Sequence, residues 1–438
     1  MRRVDLNFSS PAVAAETFSV ATHHDVSGEM LALRRLDQKL NRAMEDWALV
    51  SAVENIALPD VAALPALVMT LETVALRLGL SQPSLESHYS PAMALEASLY
   101  SIGEAMKNAF KKIVEVIRAL WKKLVAFIKR VFDTNASMRK EAVALKAKLS
   151  KGDYVTVAEG HENDKFENAA LAEKFVSDQR IDANVVLKMF ELHDKFAEKS
   201  DRLPAAIAMT ALMLNVTLKL NNPANIDQDI EKAYQHTEAA ARSLLEFMLP
   251  DKTGQIDLKA NGGQEKETEL YYPSKDLALC GGKQFAYTVQ VQTPVTDNAD
   301  SEIAFSIQFT LRKHEEKSGD STELTILTKD EMIKLCDAII KMTQSNDALC
   351  RDVEKANKEV ASLVSVMERM AADGYKNDQS SDKEDTAKKI RRAMLYQRRV
   401  VSTIGAKTGA FSGTVTGLNV KLCQAAAKYV KECMARYK

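Results

Sequence analysis

Six of the seven glutamates in residues 1–96 have Ala or Ser two positions before them: Glu16, Glu29, Glu45, Glu54, Glu86 and Glu96. Glu72, which follows Thr70-Leu71, is the exception. From residue 97 onward only three of 25 glutamates (Glu162, Glu265 and Glu323) follow a small residue at that distance, so the pattern marks the N-terminal segment rather than the whole chain. A small side chain two residues ahead of a carboxylate offers a partner one group for a tight pocket and one charge for a basic subsite. Pro59, Pro65, Pro83 and Pro91 interrupt the helical runs Met30 to Ile56 and Val61 to Leu78, which helps to present such sites as extended chain.

Groups that could make the chain an enzyme do not assemble into motifs. Histidines 23, 24, 88, 161, 193, 236 and 314 form no HExxH, and no Cys/His set has zinc spacing. His193-Asp194 lies in a helical pattern and reads as a solvated or capping histidine. Lys407-Thr408 lacks the glycine a phosphate loop needs at 406, and Gly282-Lys283 is followed by Gln284 with Leu at 277. No nucleophile elbow, kinase signature or dinucleotide fingerprint is present. A carboxylate-pair enzyme would leave no linear motif. The expectation is nevertheless a protein without catalysis, metal or cofactor. Five cysteines without CxxC spacing suggest reduced thiols.

The elements around these residues follow from composition and period. With 438 residues, 46% apolar, 27% charged and only 6% aromatic, the chain can bury a large core and favours helices. Its longest uncharged apolar stretch, Leu203 to Leu218, has 16 residues and contains Pro204, which suits a buried helix better than a membrane span. Met1-Arg2-Arg3 leads into Asp5 without an apolar run, so no secretory signal is expected.

Net charge is −1 overall but strongly segregated. Residues 1–96 carry −5, 97–149 carry +8, 150–387 carry −15 and 388–438 carry +11. Two arrangements fit these blocks: basic segments folded against the acidic middle, or basic segments facing phosphate or an acidic partner.

From Ala97 to about Ser150 the pattern predicts one long amphipathic helix. Met106, Phe110, Ile113, Ile117, Leu120, Leu124, Phe127 and Val131 are spaced alternately by four and three. Trp121, Val125, Ile128 and Phe132 widen this stripe, while Lys107, Lys111, Arg118, Lys122 and Lys129 line another face. Such a helix either packs on partner helices or lies on an anionic membrane. Helical patterns follow at about 166–200, 203–221 and 225–249, with Asp251 to Lys275 as a polar excursion. The period then becomes two. Phe285, Tyr287, Val289 and Val291, then Ile303, Phe305, Ile307, Phe309 and Leu311, alternate with polar residues, and Leu324 to Leu327 adds a shorter run. These predict a three-stranded antiparallel meander within about 276–328, apolar on one face and resting on helices. Helix resumes from Lys329 to Ala372 and again from about 388 to the end. Gly405, Gly409, Gly413 and Gly417 recur every four residues, either as a flat helix face for close packing or as a flexible loop. The fold class is mostly α with a small antiparallel β insertion.

The cluster of small-x-Glu sites resembles the motif that prohead proteases of tailed phages cut as the capsid matures. The last site, Ala94-Leu95-Glu96 before Ala97, falls where charge and composition change. The layout resembles the internal head proteins of giant, phiKZ-like myophages. That resemblance implies a propeptide, 1–96, cut mainly after Glu96 with secondary cuts at Glu16, Glu29, Glu45, Glu54 and Glu86. After it come a basic helix, 97–150, an acidic body, 151–387, and a basic helical segment, 388–438. It also implies residence in the virion, packaging with the genome and, for some members, ejection into the host cytoplasm. The partners implied are the prohead protease, capsid or other internal head proteins, and packaged DNA or a host protein. The residues placed to touch DNA or a partner are Lys107, Lys111, Arg118, Lys122 and Lys129 with Arg391, Arg392, Arg398 and Arg399. The alternative reading is a membrane-active or host-targeted helical effector that uses 97–132 and the glycine stripe.

Overall fold

The heptad stripe of the basic segment forms a single helix that starts earlier than its charge pattern suggested. In the computed structural model, α2 (Pro91–Lys151) runs for 61 residues. Proline suits a first helical position, where its missing N–H would have no partner in any case. The structure describes residues 27–54, 91–152, 154, 156–157, 164–175, 180–217, 226–250, 266–273, 278–292, 304–314, 322–372 and 384–437, with side chains described for part of these. The other elements are α1 (Ser27–Glu54), β1 (Lys165–Glu167), α3 (Ala169–Phe175), α4 (Ala183–Glu198), α5 (Arg202–Thr217), α6 (Ile226–Met248), β2 (Lys266–Tyr272), β3 (Lys283–Gln292), β4 (Ala304–Lys313), β5 (Glu323–Thr325), α7 (Lys329–Ala372) and α8 (Glu384–Met434). The chain is mostly α with small antiparallel sheets.

Three long helices organise the rest. The α2 stripe from Ile113 through Ile117, Leu120, Leu124 and Phe127 to Val131 is buried throughout, as are Trp121 and Ile128. Met106 and Phe110 of the stripe lie outside the described side chains. α7 runs antiparallel to α2, since Asn135 meets Asp347 while Lys146, further along, meets Asp337. Its start is a capping box: Glu331 accepts from the Thr328 N–H at 2.8 Å, and the Thr328 hydroxyl accepts from the Glu331 N–H at 3.4 Å.

α8 is the central helix. Every residue from Lys407 to Val420 is buried, so this stretch has no solvent face. A helix packed on all sides resolves the choice left open for the glycine stripe. A Cβ at Gly409 would come within 2.3 Å of Leu120 Cδ2, one at Gly413 within 2.6 Å of Leu33 Cδ1, and one at Gly417 within 2.3 Å of Met30 Sδ. Glycine lets α2 and α1 close onto α8. Trp121 spans the same seam, its indole N–H donating to the Gly405 carbonyl at 2.6 Å. The loss of about 1 kcal/mol of helix propensity per glycine is offset by this packing.

The strand prediction was right in part. β3 and β4 fall where period two placed them, and Phe285, Tyr287, Val289 and Ile307 are buried on one face. Ile303 and the Phe305 side chain, expected on that face, lie outside the described residues. The third strand is corrected. The sheet order is β2-β3-β4, with Tyr272 opposite Phe285, so the third member is Lys266–Tyr272 and not the run at 324–327. That later run contributes β5, which pairs with β1 in a separate two-stranded sheet through Phe166 opposite Leu324. Lys266, Thr268, Leu270 and Tyr272 do alternate with Glu267, Glu269 and Tyr271. The charged composition of the segment hid that alternation.

The buried face of the three-stranded sheet rests on aromatic side chains from α4, α6 and α8. Phe411 of α8 is the hub. Its ring centroid lies 4.8 Å from Phe285, 5.2 Å from Phe309, 5.4 Å from Phe247 and 5.7 Å from Phe196. Tyr287 at the rim donates its hydroxyl to the Met248 carbonyl at 2.7 Å, satisfying an orphan acceptor at the end of α6.

Candidate functional site

The glutamate sites that the structure describes lie on helical backbone. Glu96 and its neighbours Ala94, Leu95 and Ala97 sit within the first two turns of α2, so the expected main cut is not in a connection between elements. Glu29 is the third residue of α1, Glu45 lies in its interior and Glu54 is its last residue. Glu16 and Glu86 fall outside the described residues. A peptidase needs extended chain, and helix ends open at far lower free energy than helix interiors. The bonds after Glu54 and Glu96 are therefore easier to unwind than the bond after Glu45. Glu29 is also held by its side chain, which pairs with Arg130 of α2.

The segment carrying these sites is not separate from the body. Met30, Leu33, Leu40 and Ala43 of α1 are buried in the common core, and α1 lies antiparallel along α8. Lys407 of α8 is only 3% exposed, and its ammonium donates to Asn41 Oδ1 at 2.7 Å and to Asp37 Oδ1 at 3.1 Å. The pair Lys407-Thr408 is thus part of a helix seam and not of a phosphate loop.

The basic residues divide between two roles. Arg118 pairs with Glu368, Arg139 with Asp347 and Lys146 with Asp337, which ties the basic α2 to α7 of the acidic middle. Lys431 of α8 pairs with Glu141. Against these, Lys111, Lys122 and Lys129 are exposed, with no ion pair among the described residues. Lys107, Arg391, Arg392, Arg398 and Arg399 stand on helical backbone with side chains outside the description. Internal pairing absorbs part of the charge and leaves a lysine face on α2. The same packing buries the α2 apolar stripe and the glycine stripe, the two features a membrane-inserting reading requires. Among the described residues no helix is long and apolar enough to cross a membrane.

The most elaborate polar arrangement went unseen in the sequence. His193 is 1% exposed, which overturns the expectation of a solvated or capping histidine. α4 places it, with Asp182 as N-cap accepting from the Val185 N–H at 2.9 Å. Nδ1 meets Asn419 Oδ1 at 2.8 Å, and Nε2 accepts from the Cys280 backbone N–H at 3.2 Å. The ring is therefore neutral with its proton on Nδ1. Asn419 donates onward to Asn346 at 3.0 Å, Asn346 to Asn135 at 3.4 Å, and Asn135 to the Asp347 carboxylate at 2.7 Å. Every donor in this chain points the same way, toward an anion held by Arg139. Burial pushes the His193 pKa down to about 4, and a second ring proton would face the Cys280 N–H, donor against donor.

This network links α4, α8, α7 and α2 in one register. His193, Asn419, Asn346 and Asn135 are all buried, so the network ties the helices together inside the core. Asn135 does leave a trace in the sequence as an amide four residues beyond Val131 of an apolar stripe, the pattern of a register-setting polar residue. The five cysteines are buried and unbridged. Burial raises their pKa values, to about 12 for Cys280 and about 11 for Cys336, so they do not act as thiolates near neutral pH. Among the described residues no group of His, Cys, Asp and Glu is arranged to hold a metal ion.

The sequence model of the phiKZ-like phage internal head proteins matches residues 48–432. The chain belongs to that family. No curated protein and no solved structure matches it. The matched stretch takes in α2 and nearly all of α8, so the helical frame described above is the frame of an internal head protein. An internal head protein is a component of the virion, inside the capsid, and its family points to a structural rather than enzymatic role.

Proposed function

We propose that this internal head protein is a non-enzymatic cargo of the capsid, made with a propeptide and cut after Glu96 by the phage prohead protease. The clustering of small-x-Glu sites in residues 1–96 carries the reading. An internal head protein that is not processed has no use for six such sites in one short segment. The mature chain keeps the basic helix and gains net positive charge, since residues 1–96 carry −5. It is packaged with the genome and passes with it into the host cytoplasm. Its other partners are capsid or further internal head proteins.

Peptide mapping of the protein from native particles tests the processing. The expected N-terminus is Ala97, with minor species beginning after Glu54 or other upstream sites. Glu96→Gln should abolish the Ala97 terminus without unfolding the chain, since an isosteric change in the first turns of a helix alters stability by about 0.5 kcal/mol or less. A particle-derived chain that still begins at residue 1 or 2 would remove the processing reading.

The lysine face of α2 supports contact with packaged DNA. Binding should be independent of sequence. It should weaken linearly with log salt, by about one unit of slope per phosphate neutralised. Joint replacement of Lys111, Lys122 and Lys129 by Glu is expected to reduce both affinity and slope in a gel-shift titration of the full chain. Absence of any shift at about 50 mM salt leaves packaging to protein–protein contacts.

A further inference from the structure

The groove that α1 fills has features that a purely internal seam does not need. Its floor is Gly413 and Gly417 of α8 with Leu124 of α2, and Leu33 and Met30 press into the spaces the missing side chains leave. Its buried charge is Lys407, and Arg130 of α2 adds an exposed cation that pairs with Glu29. Both hydrogen-bond partners described for this buried ammonium, Asp37 and Asn41, come from α1, and the remaining described contact is the Phe309 ring at 5.8 Å. Without α1 the groove would present a largely apolar trough with the Lys407 cation set into it and Arg130 at its edge.

Such a trough selects its occupant. Close-packed glycines accept large apolar side chains one helical turn apart, and a buried ammonium requires a carboxylate among them. α1 meets both demands with Met30, Leu33 and Leu40 around Asp37. Its buried residues, 30 to 43, lie between Glu29 and Glu45, two of the small-x-Glu positions. While the chain is intact, the covalent link to the body holds the docked helix at a high effective concentration, and cutting the link abolishes that advantage.

We propose that the α2–α8 groove is a docking site for an amphipathic helix of another protein chain that sets a carboxylate against Lys407. In this account α1 is an intramolecular occupant that keeps the site closed until the propeptide is cut. The timing rests on the processing reading above; the groove and its selectivity do not.

The test uses the full, uncut chain and a fluorescent peptide of residues 27–46 as the probe helix. Leu33→Asp with Leu40→Asp unseats α1, and this variant should bind the peptide at least about tenfold more tightly than the parent chain, in which α1 occupies the site. A peptide carrying Asp37→Lys should lose about tenfold or more, because it places two cations together in a buried site. Equal peptide affinity for parent and variant, or indifference to Asp37→Lys, overturns the proposal. Should the double variant lose its helical circular dichroism, Asp37→Ala in the full chain serves instead. It removes the in-cis carboxylate alone and must still raise peptide affinity over the parent, and no gain there also overturns the proposal. Neither arm involves a protease, so failed cutting at Glu96 would leave this result standing, and the converse holds.

Discussion

Phe411→Ala is expected to destabilise the protein by about 3–5 kcal/mol, the range for a fully buried aromatic side chain. Phe411 is fully buried, and the rings that face it come from four elements: Phe196 of α4, Phe247 of α6, Phe285 of β3 and Phe309 of β4. Truncation leaves a cavity that no single neighbour can fill, because each is anchored in a different element. Urea denaturation should show a lower midpoint with an unchanged slope. Leu31→Ala supplies the contrast. Leu31 is 50% exposed, and its loss should cost about 0.5 kcal/mol or less. If Phe411→Ala shifts the midpoint no more than Leu31→Ala does, the sheet is not seated on α8 as described.

The second large effect is a dependence on pH. In the folded protein the His193 pKa is held down to about 4 by burial, against the ordinary value of 6.5. Between these values the unfolded chain binds a proton that the folded chain refuses, so stability rises with pH across this window. The contribution is fully present above about pH 6.5. It is lost progressively as pH falls through 4, amounting to about 3 kcal/mol in all. His193→Gln cannot titrate, yet it can still donate toward Asn419 and accept from Cys280. Its loss of stability between pH 7 and pH 4.5 should be smaller than the parent's by about 2–3 kcal/mol, the carboxylate titrations being common to both. Parallel pH profiles for the two proteins would show that His193 is not buried neutral.

Family membership, fold class and the main helices were legible because each rests on local information. The four-three spacing from Ile113 to Val131 requires a helix with one buried face whatever covers it, and the structure buries that face. The same holds for β3 and β4, where alternation alone sets which side is apolar. The small-x-Glu cluster is also local, since a protease reads a few consecutive residues.

What covers each face was decided only by the tertiary structure. Four glycines at intervals of four leave local propensity nearly indifferent between helix and loop, and the choice fell to helix because Leu120, Leu33 and Met30 fill the space above them. β2 was masked by its charged residues, and the outward positions of Glu267 and Glu269 are apparent only once Tyr272 is seen opposite Phe285. His193 and Lys407 sit on helices whose sequences do not distinguish a solvated side chain from a buried one. The distinction came from Asn419 and Asp37, respectively 226 and 370 residues away in the chain. Residues 1–96 read as a separable acidic segment by charge, yet α1 within them docks on α8, where Leu33 and Met30 cover Gly413 and Gly417 and Asp37 and Asn41 meet the buried Lys407 ammonium. Periodicity is a property of one element and survives in a linear sequence. The pairing of elements depends on which side chains meet across hundreds of residues, and that information is spread over partners that no local window contains.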